Sequence, residues 1–351
     1  MARRGRSDTW LRRIGWLVLL WAVIILFGVM MYVVMDGFDL GIGLLFPFFA
    51  SKDDRDVMMN TVAPVWDGNE TWLVLGGAGL LAAFPTAYAV VLSAFYLPLI
   101  GMLVGLIFRG VAFEFRFKAS DARRSWWDKA FIGGSLLATF CQGVVLGAFI
   151  TGIPVVNGRY AGGGLDWLTP FALFTGAGLI ATYALLGATW LVLKTDGNLR
   201  LRMRLIARTL SWVLLLFIAA ISLWTPLALP QVAQRWFTWP NIAFFAPVPV
   251  LVLVSMMGLT RSLSVAQSGN DAAPFVWTLM LVFLGYSGLG ISLWPNIVPP
   301  SLTIQAAAAP PQSMGFALVG ALLVIPLILM YTAWGYWVFR GKVRRDDGYH
   351  H

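Results

Sequence analysis

The sequence of 351 residues contains one cysteine, Cys141, and two histidines, His350 and His351, which are its last two residues. A single cysteine excludes a disulfide bond within the chain and a cysteine metal site. Because no histidine precedes position 350, the interior of the chain has no imidazole to bind haem, copper or zinc. We therefore predict no metal site here, and we expect any redox cofactor to lie mainly in a partner.

Charged residues are also scarce, at 12% of the chain, whereas 59% of the residues are hydrophobic. A soluble domain usually has about 25% charged residues. This composition predicts a polytopic helical membrane protein, whose length is used for membrane spans. The net charge of +9 comes from basic residues that flank the apolar stretches, which is a signal of topology. We therefore predict no nucleic-acid partner.

Nine apolar stretches are long enough to cross a bilayer, for which about 20 residues are needed. They lie at 14–36, 60–84, 87–110, 129–152, 167–193, 206–226, 240–260, 273–293 and 314–339. The first stretch continues toward a turn near Pro47, and Pro247 and Pro249 predict a kink in the seventh. Residues 303–313 are predicted to form a loop.

We predict an all-α polytopic membrane protein that forms a single integral membrane domain over residues 1–351. Two four-helix bundles and one peripheral helix are expected to make up this domain. Its predicted parts are a basic N-terminal extension (1–13), a first bundle with an acidic cluster (14–152), a second bundle (167–293), a last transmembrane helix (314–339) and a basic C-terminal tail (340–351).

An odd number of spans places the two ends of the chain on opposite sides of the membrane. We name the side of residues 340–351 the tail side and the other the far side. Of the 25 lysines and arginines, 18 fall on the tail side. This predicts a cytoplasmic C-terminus, since cytoplasmic loops are enriched in these residues. The five arginines within residues 1–13 favour the opposite orientation.

Ionisable residues cluster where the first three predicted spans meet the tail side. They are Asp36, Asp39, Asp67, Glu70, Arg109 and Glu114. A charge at a helix centre costs about 2.5–3.5 kcal/mol on insertion scales, so such residues usually serve proton or ion movement. The other eleven acidic residues are expected in loops or tails. The alternative is structural, with ion pairs at the helix ends that neutralise one another and fix the packing.

Four segments carry a family resemblance. MDGFDLGIGLLFPF (35–48), NTVAPVWDGNETWLV (60–74), FRGVAFEFR (108–116) and LMYTAWGYWVFRGKV (329–343) together resemble subunit II of cytochrome bd-type quinol oxidases. The segment WPNIVPPSLTIQAAAAPP (294–311) is similar to the cyanide-insensitive branch.

The resemblance implies a haem-free subunit of a respiratory terminal oxidase in the bacterial cytoplasmic membrane, which oxidises quinol and reduces dioxygen to water. It implies that haem b and haem d type groups lie in subunit I, the expected partner. Membrane lipids are further expected partners. A quinone bound in this chain and a small third subunit are left open.

The resemblance also implies a proton path from the cytoplasm. Asp39 matches the second aspartate of the DGFD motif, Asp67 matches the aspartate of WDG, and Arg109 matches the arginine that closes the third span. Glu114 stands where some relatives have aspartate. Supporting roles are expected for four neighbours, and no catalytic residue is expected in this chain. These neighbours are Asp36, Trp66, Asn69 and Glu70.

Two other functions remain open at this point. A passive assembly subunit would use the same charges only to stabilise the fold. A proton-coupled secondary transporter would show broken helices near the membrane midplane in both repeats. The ionisable residues lie in one half of the chain and near one membrane face, which favours an oxidase subunit or an assembly subunit.

Overall fold

Long apolar helices dominate the computed structural model, which describes residues 2–264 and 269–344. Eight helices in these ranges are long and apolar enough to cross a membrane, and the predicted all-α polytopic membrane fold is confirmed. The helices are α1 (Ala2–Leu45), α2 (Lys52–Asn60), α3 (Trp66–Ala83), α4 (Pro85–Ala94), α5 (Tyr96–Arg116), α6 (Asp121–Thr151), α7 (Pro170–Lys194), α8 (Gly197–Ala228), α9 (Pro230–Phe237), α10 (Asn241–Phe245), α11 (Pro247–Ser262), α12 (Ala273–Leu293), α13 (Ile304–Ala307) and α14 (Pro311–Val338).

Each of the nine predicted spans corresponds to a helix. The eighth span has the predicted bounds, and the second, 60–84, corresponds to the 18-residue α3. This helix begins at Trp66, later than predicted, because turns over residues 61–65 separate it from α2. It is not among the eight long apolar helices, which correspond to the other eight predicted spans.

Prolines interrupt two of the predicted spans. The third predicted span is divided at Phe95 into α4 and α5. One continuous helix is not possible here, because the ring of Pro98 would clash with the carbonyl of Ala94, four residues earlier. The predicted kink in the seventh span is confirmed, since α10 ends and α11 begins around Pro247.

The first helix continues past residue 36 and ends in the turn predicted near Pro47. α1 continues through Leu45 and ends in a 3₁₀ turn at Phe46–Phe48. Close packing on α7 holds this extension, because a side chain at Gly41 would overlap the main chain of Tyr183. Asp36 and Asp39 therefore lie inside the first span, and their expected position at its end was wrong.

Arg109 also lies inside a helix. α5 continues about two turns beyond it, to Arg116, so the expectation that Arg109 closes the third span was wrong. Both arginines are fully buried. Packing between α5 and α6 accounts for this burial, as these two helices make the most extensive contact in the described part of the chain.

Two short antiparallel hairpins lie on the far side. Strands β1 (Val155–Val156) and β2 (Arg159–Tyr160) are joined by Asn157 and Gly158, which both have positive φ angles, of 51° and 73°. An Asn-Gly pair favours this two-residue turn. Strands β3 (Asn296–Val298) and β4 (Leu302–Thr303) form the other hairpin. The predicted loop 303–313 is therefore wrong in part, because α13 begins within it.

A shared hydrophobic core surrounds α1, which packs against α3, α6 and α7. Because α1 contacts helices of both predicted bundles, they meet along it, and their division into separate bundles stays a prediction. α14 packs on α3 and α1 from outside, and of its 28 residues, all of them described, Met314 is the one that is buried. The last helix is therefore peripheral.

Four helix ends meet on the tail side. The Arg202 guanidinium at the start of α8 donates to the Phe48 carbonyl, at 3.1 Å. At the other edge, Lys194 at the end of α7 donates to the Phe339 carbonyl, and the Val343 amide donates to the Lys194 carbonyl at 2.8 Å. Part of the predicted basic tail, residues 345–351, lies outside the described residues.

Candidate functional site

Three helices bring acidic side chains to one guanidinium, that of Arg109 on α5. From α1, Asp36 Oδ1 lies 2.9 Å from Arg109 Nη2, and Asp39 Oδ2 lies 3.9 Å from Nη1. From the first turns of α3, Glu70 forms an ion pair with Nη2. We name Asp36, Asp39, Glu70 and Arg109 the Arg109 cluster. Its four members were predicted to meet, and they do.

The Arg109 cluster is shielded from solvent and holds more acid than base. Asp36, Asp39 and Arg109 are fully buried, while the Glu70 side chain is 28% exposed. Three carboxylates face one guanidinium, so the cluster is neutral only when two of the carboxylates carry protons. A buried charge without a partner costs several kcal/mol. Glu70 is the member of this cluster that solvent can reach.

The cluster continues through Asn69 toward α14. Asn69 Nδ2 donates to Asp39 Oδ2 at 2.8 Å, and the Tyr336 hydroxyl donates to Asn69 Oδ1 at 2.8 Å. A crevice of about 20 Å³ lies here between α3 and α14, lined by Gly68, Asn69, Tyr331 and Tyr336 among others. That volume holds about one water molecule. Asp39 is thereby connected to the outer face of α14.

A second hydrogen-bonded chain leaves the cluster toward the far side. The Tyr32 hydroxyl lies beside Asp36, one turn earlier on α1. Gln142 Nε2 of α6 donates to this hydroxyl at 2.8 Å, and the Tyr183 hydroxyl of α7 donates to Gln142 Oε1 at 2.9 Å. These residues were not predicted from the sequence, although a glutamine within an apolar span was an available signal.

Aromatic rings enclose the guanidinium of Arg109. Its central carbon lies 5.7 Å from the Trp66 ring and 5.9 Å from the Phe113 ring. The two rings stack on each other, with their centroids 5.1 Å apart. Cation–π contacts of this kind stabilise a desolvated cation. Trp66 therefore contacts the cluster, as its predicted supporting role requires.

A sequence model of the family "Cytochrome bd terminal oxidase subunit II" matches residues 17–339. The chain belongs to this family. It is 30% identical to the cytochrome bd-I ubiquinol oxidase subunit 2 of Escherichia coli K12, over 96% of each chain. It is 27% identical to the cytochrome bd ubiquinol oxidase subunit 2 of Bacillus subtilis 168, over 93% of this chain and 97% of that protein.

The fold agrees with a solved structure of the same kind of complex. A chain of the bd oxidase from Geobacillus thermodenitrificans matches with a TM-score of 0.67 and 18% identity, over 90% of this chain and 97% of that chain. Cytochrome bd oxidase is a quinol:oxygen oxidoreductase, and this chain is its subunit II. The complex uses haem, contains a subunit I and lies in the bacterial cytoplasmic membrane, which this subunit crosses several times.

The donor atoms of subunit II do not fit haem ligation through histidine. No histidine occurs before position 350, and His350 and His351 lie outside the described residues. Within the described ranges, no group of three or more histidine, cysteine or acidic side chains is arranged to hold a metal ion. We therefore assign no step of the chemistry to a haem held by this chain.

Two predicted members of the proton path lie apart from the Arg109 cluster in subunit II. Asp67 is exposed in the first turn of α3, where a negative charge also stabilises the helix N-terminus. Glu114 is 62% exposed on α5, with its carboxylate 3.7 Å from Lys118 Nζ. The expectation that all six ionisable residues converge was therefore wrong for these two.

Subunit II has a second buried arginine, Arg116, in a cluster that our sequence analysis missed. Arg116 lies 2.5 Å from both Asp56 and Asp128, and Arg55 lies 2.8 Å from Asp128. We name these four residues the Arg116 cluster. Asp56 lies in α2 and Asp128 in α6, so their predicted location in loops was wrong. Here two guanidinium groups face two carboxylates.

A third charged group joins α8, α14 and the start of α12 on the tail side. Asp271 lies 2.8 Å from Arg200, 2.8 Å from Arg204 and 2.6 Å from Lys342. Partial burial alone would raise the pKa of Asp271, but hydrogen bonds from Lys342, Arg204 and Arg200 outweigh burial and lower this pKa to about 2. This group connects the end of α14 to the rest of subunit II.

Proposed function

We propose that this chain is a haem-free subunit that carries protons from the cytoplasm toward subunit I and also serves as its scaffold. The proposed path uses Asp67 and Glu114 at the tail side, then the Arg109 cluster with Asp39. It requires a cytoplasmic C-terminus, as the distribution of lysine and arginine predicts. Haem b and haem d type groups are assigned to subunit I, because this chain has no imidazole before position 350.

The excess of acid in the Arg109 cluster carries the proposal. A cluster that serves only to fix the packing gains most when its charges balance, because each unpaired buried charge is costly. One guanidinium with three carboxylates instead requires protons to reach neutrality. Neighbouring carboxylates of this kind can pass a proton to one another through water.

The exposure of the carboxylates supports a direction for the path. Asp67 and Glu114 are exposed on the tail side, Glu70 is partly exposed, and Asp39 is fully buried. From Asp39, the contacts to Asn69 and Tyr336 lead to the outer face of α14. The path therefore passes from the tail side into the cluster and leaves between α3 and α14.

We place subunit I against this outer face of α14. Large apolar side chains of the helix are turned outward, with Phe316 85%, Leu323 66% and Met330 64% exposed. Tyr331 lines the crevice and Trp334 lies on the same helix, at 67% and 64% exposure. A contiguous apolar face of this size is typical of an interface or a lipid contact, and the crevice that leads to Asp39 favours a protein partner here.

Replacing Asp39 with asparagine tests the proposal. Asp39→Asn keeps the size and the hydrogen bonding of the side chain but removes a group that can release a proton. We expect oxygen consumption by the complex to fall roughly a hundredfold, the contribution typical of a positioned proton donor or acceptor. Haem content, measured from the visible spectrum of the same preparation, should be unchanged.

A matched variant provides the control. Asp121→Asn removes an aspartate whose side chain is 91% exposed on the same side of the membrane, and turnover should be unaffected. Normal turnover by the Asp39→Asn complex would contradict the proton path. Loss of haem or of subunit I from that complex would indicate that the cluster serves assembly alone.

A further inference from the structure

A cavity of about 470 Å³ lies on the far side, remote from the Arg109 cluster and lined by no residue of α3 or α14. It is formed where α6 and α12 end, beside the short helix α9. Helix ends of membrane spans mark the level of the lipid headgroups. The volume is in the range of small-molecule binding sites in proteins.

Polar groups line one wall of this cavity. Gln231, Gln234 and Arg235 are spaced three and four residues apart on α9, so they share one face of the helix, and all three line the cavity. Asn241 adds an amide, whereas the Ser292 hydroxyl is already engaged, because it donates to the Gly288 carbonyl at 2.6 Å and accepts from Trp236 Nε1 at 2.8 Å. The wall therefore presents hydrogen-bond donors and one positive charge to any occupant.

Arg235 has no carboxylate partner among the described residues. Its Nη1 donates to the Ser292 carbonyl at 3.0 Å, which holds the guanidinium without neutralising it. Arginine is also unusual on this side, since most lysines and arginines of the chain are predicted on the tail side. A half-buried guanidinium that is fixed and not neutralised favours an anion, and phosphate matches its planar set of donors.

The remaining lining and the rim are apolar. Ile150 and Leu293 line the cavity, and Trp294 lies at its edge with 44% exposure. Phe237 and Trp239 flank it on α9 and the following turn, at 64% and 77% exposure. Exposed aromatic residues at the end of membrane spans mark the interface with lipid. An occupant with a charged head and an apolar remainder fits both walls.

We propose that this far-side cavity binds the phosphate headgroup of an anionic phospholipid, with Arg235 as the residue that recognises the phosphate. The same hydrogen-bond donors would also bind inorganic phosphate. The apolar rim favours the lipid, because a free phosphate ion gains nothing from it.

The proposed lipid site is tested by measuring how much lipid the intact complex with subunit I retains. Wild type and variants are incubated with mixed micelles of equal amounts of isotope-labelled phosphatidylglycerol and phosphatidylcholine, washed, and analysed for bound lipid by mass spectrometry. We expect Arg235→Gln to bind phosphatidylglycerol about tenfold more weakly or worse, as for the loss of one charge-assisted contact. Arg235→Lys, which keeps the charge, should retain more of this lipid than Arg235→Gln.

Arg159→Gln is the matched control, because it removes a far-side arginine that does not line the cavity. Its lipid retention should equal that of the wild type, and an unchanged visible spectrum verifies an intact complex in every variant. If Arg235→Gln does not assemble, Gln231→Leu tests the same wall, and weaker retention is again expected.

Three results would overturn the proposal. One is equal retention of phosphatidylglycerol by the wild type and by both cavity variants. Another is retention of phosphatidylcholine as strong as that of phosphatidylglycerol, which would exclude recognition of negative charge. The last is binding of inorganic phosphate alone, without retained phosphatidylglycerol, which would identify a site for the free ion.

Discussion

Two arginines on the same helix, Arg109 and Arg116, are both fully buried and differ in what surrounds them. Arg109 faces three carboxylates, whereas Arg116 shares two carboxylates with a second cation, Arg55. The four residues of the Arg116 cluster are neutral together with every group ionised, and a further cation, the exposed Lys52, lies 3.6 Å from Asp56. The Arg109 cluster reaches neutrality only when it holds protons.

Under the proposed function, this difference separates a cluster that fixes packing from one that handles protons. Balanced buried pairs fix the relative positions of helices, and the Arg116 cluster joins α2, α5 and α6 in this way. In the proposed path, an unbalanced cluster that includes a partly exposed acid such as Glu70 can gain and lose protons while Arg109 keeps an ionised carboxylate partner. Burial of an ionisable residue is therefore a weaker sign of function than the ratio of acids to bases around it.

The largest effect is expected from removing the cation of the balanced cluster. Arg116→Gln leaves Asp56 and Asp128 with one guanidinium between them, and breaking a buried pair costs about 3–5 kcal/mol. We expect a markedly lower thermal stability of the complex, measured by loss of the haem spectrum on heating. Turnover per intact haem should stay normal.

Arg109→Gln gives the opposite pattern if the comparison holds. The carboxylates of Asp36, Asp39 and Glu70 can take up protons when the guanidinium is removed. The loss of stability should therefore be smaller than for Arg116→Gln, while turnover should fall. Arg124→Gln, which removes an ion pair with the exposed Asp121, should change neither quantity by much, because such pairs contribute about 0–1 kcal/mol. Equal losses of stability and of turnover in both buried variants would remove the distinction between the clusters.

Asp271 extends the comparison to a group in which bases outnumber acids. Its pKa is about 2 in the folded protein and about 3.9 in an unfolded chain, so its stabilisation is complete above pH 3.9 and is lost as the pH falls through 2. Asp271→Asn should lower stability by about 1–2 kcal/mol at pH 7, after allowance for solvent screening. The difference in melting temperature from the wild type should narrow below about pH 4. A difference in melting temperature that widens as the pH falls would contradict this prediction.

The smallest effect is expected from a substitution at the exit of the proposed proton path, between α3 and α14. Tyr336→Phe removes the hydroxyl that donates to Asn69, a hydrogen bond that contributes about 1 kcal/mol. If proton transfer through Asn69 limits turnover, oxygen consumption should fall by about fivefold. Tyr88→Phe on α4 is the control, because this tyrosine does not line the crevice, and it should have no effect. Equal turnover in both variants would place the exit elsewhere.

The composition of the chain predicted most of the architecture. Apolar stretches of sufficient length predicted each span, since lipid leaves few alternatives to a helix. The same cost of charge in lipid singled out Asp36, Asp39 and Arg109, which do meet. Glu114 was misjudged because five residues rotate a helix by about 140°, so it cannot share the buried face of Arg109.

Other members of the sites could not be predicted from local sequence. Asp56 and Asp128 lie in polar segments that look like loops, and only the folding of α2 against α5 and α6 buries them. Tyr336 reaches Asn69 across 267 positions of the chain, so no short-range pattern joins them. The cavity around Arg235 likewise requires the ends of α6 and α12 to lie beside α9.

The sequence by itself therefore determined that this protein lies in a membrane, about where its helices run, and which charges are too costly to be incidental. Those properties follow from the free energy of transferring each residue into lipid, which depends on the residue and its near neighbours. Only the tertiary structure decided which acid meets which base and which acids stay exposed. Pairing depends on helix rotation and packing over long distances in the chain, and the ratio of acids to bases at each buried arginine results from it.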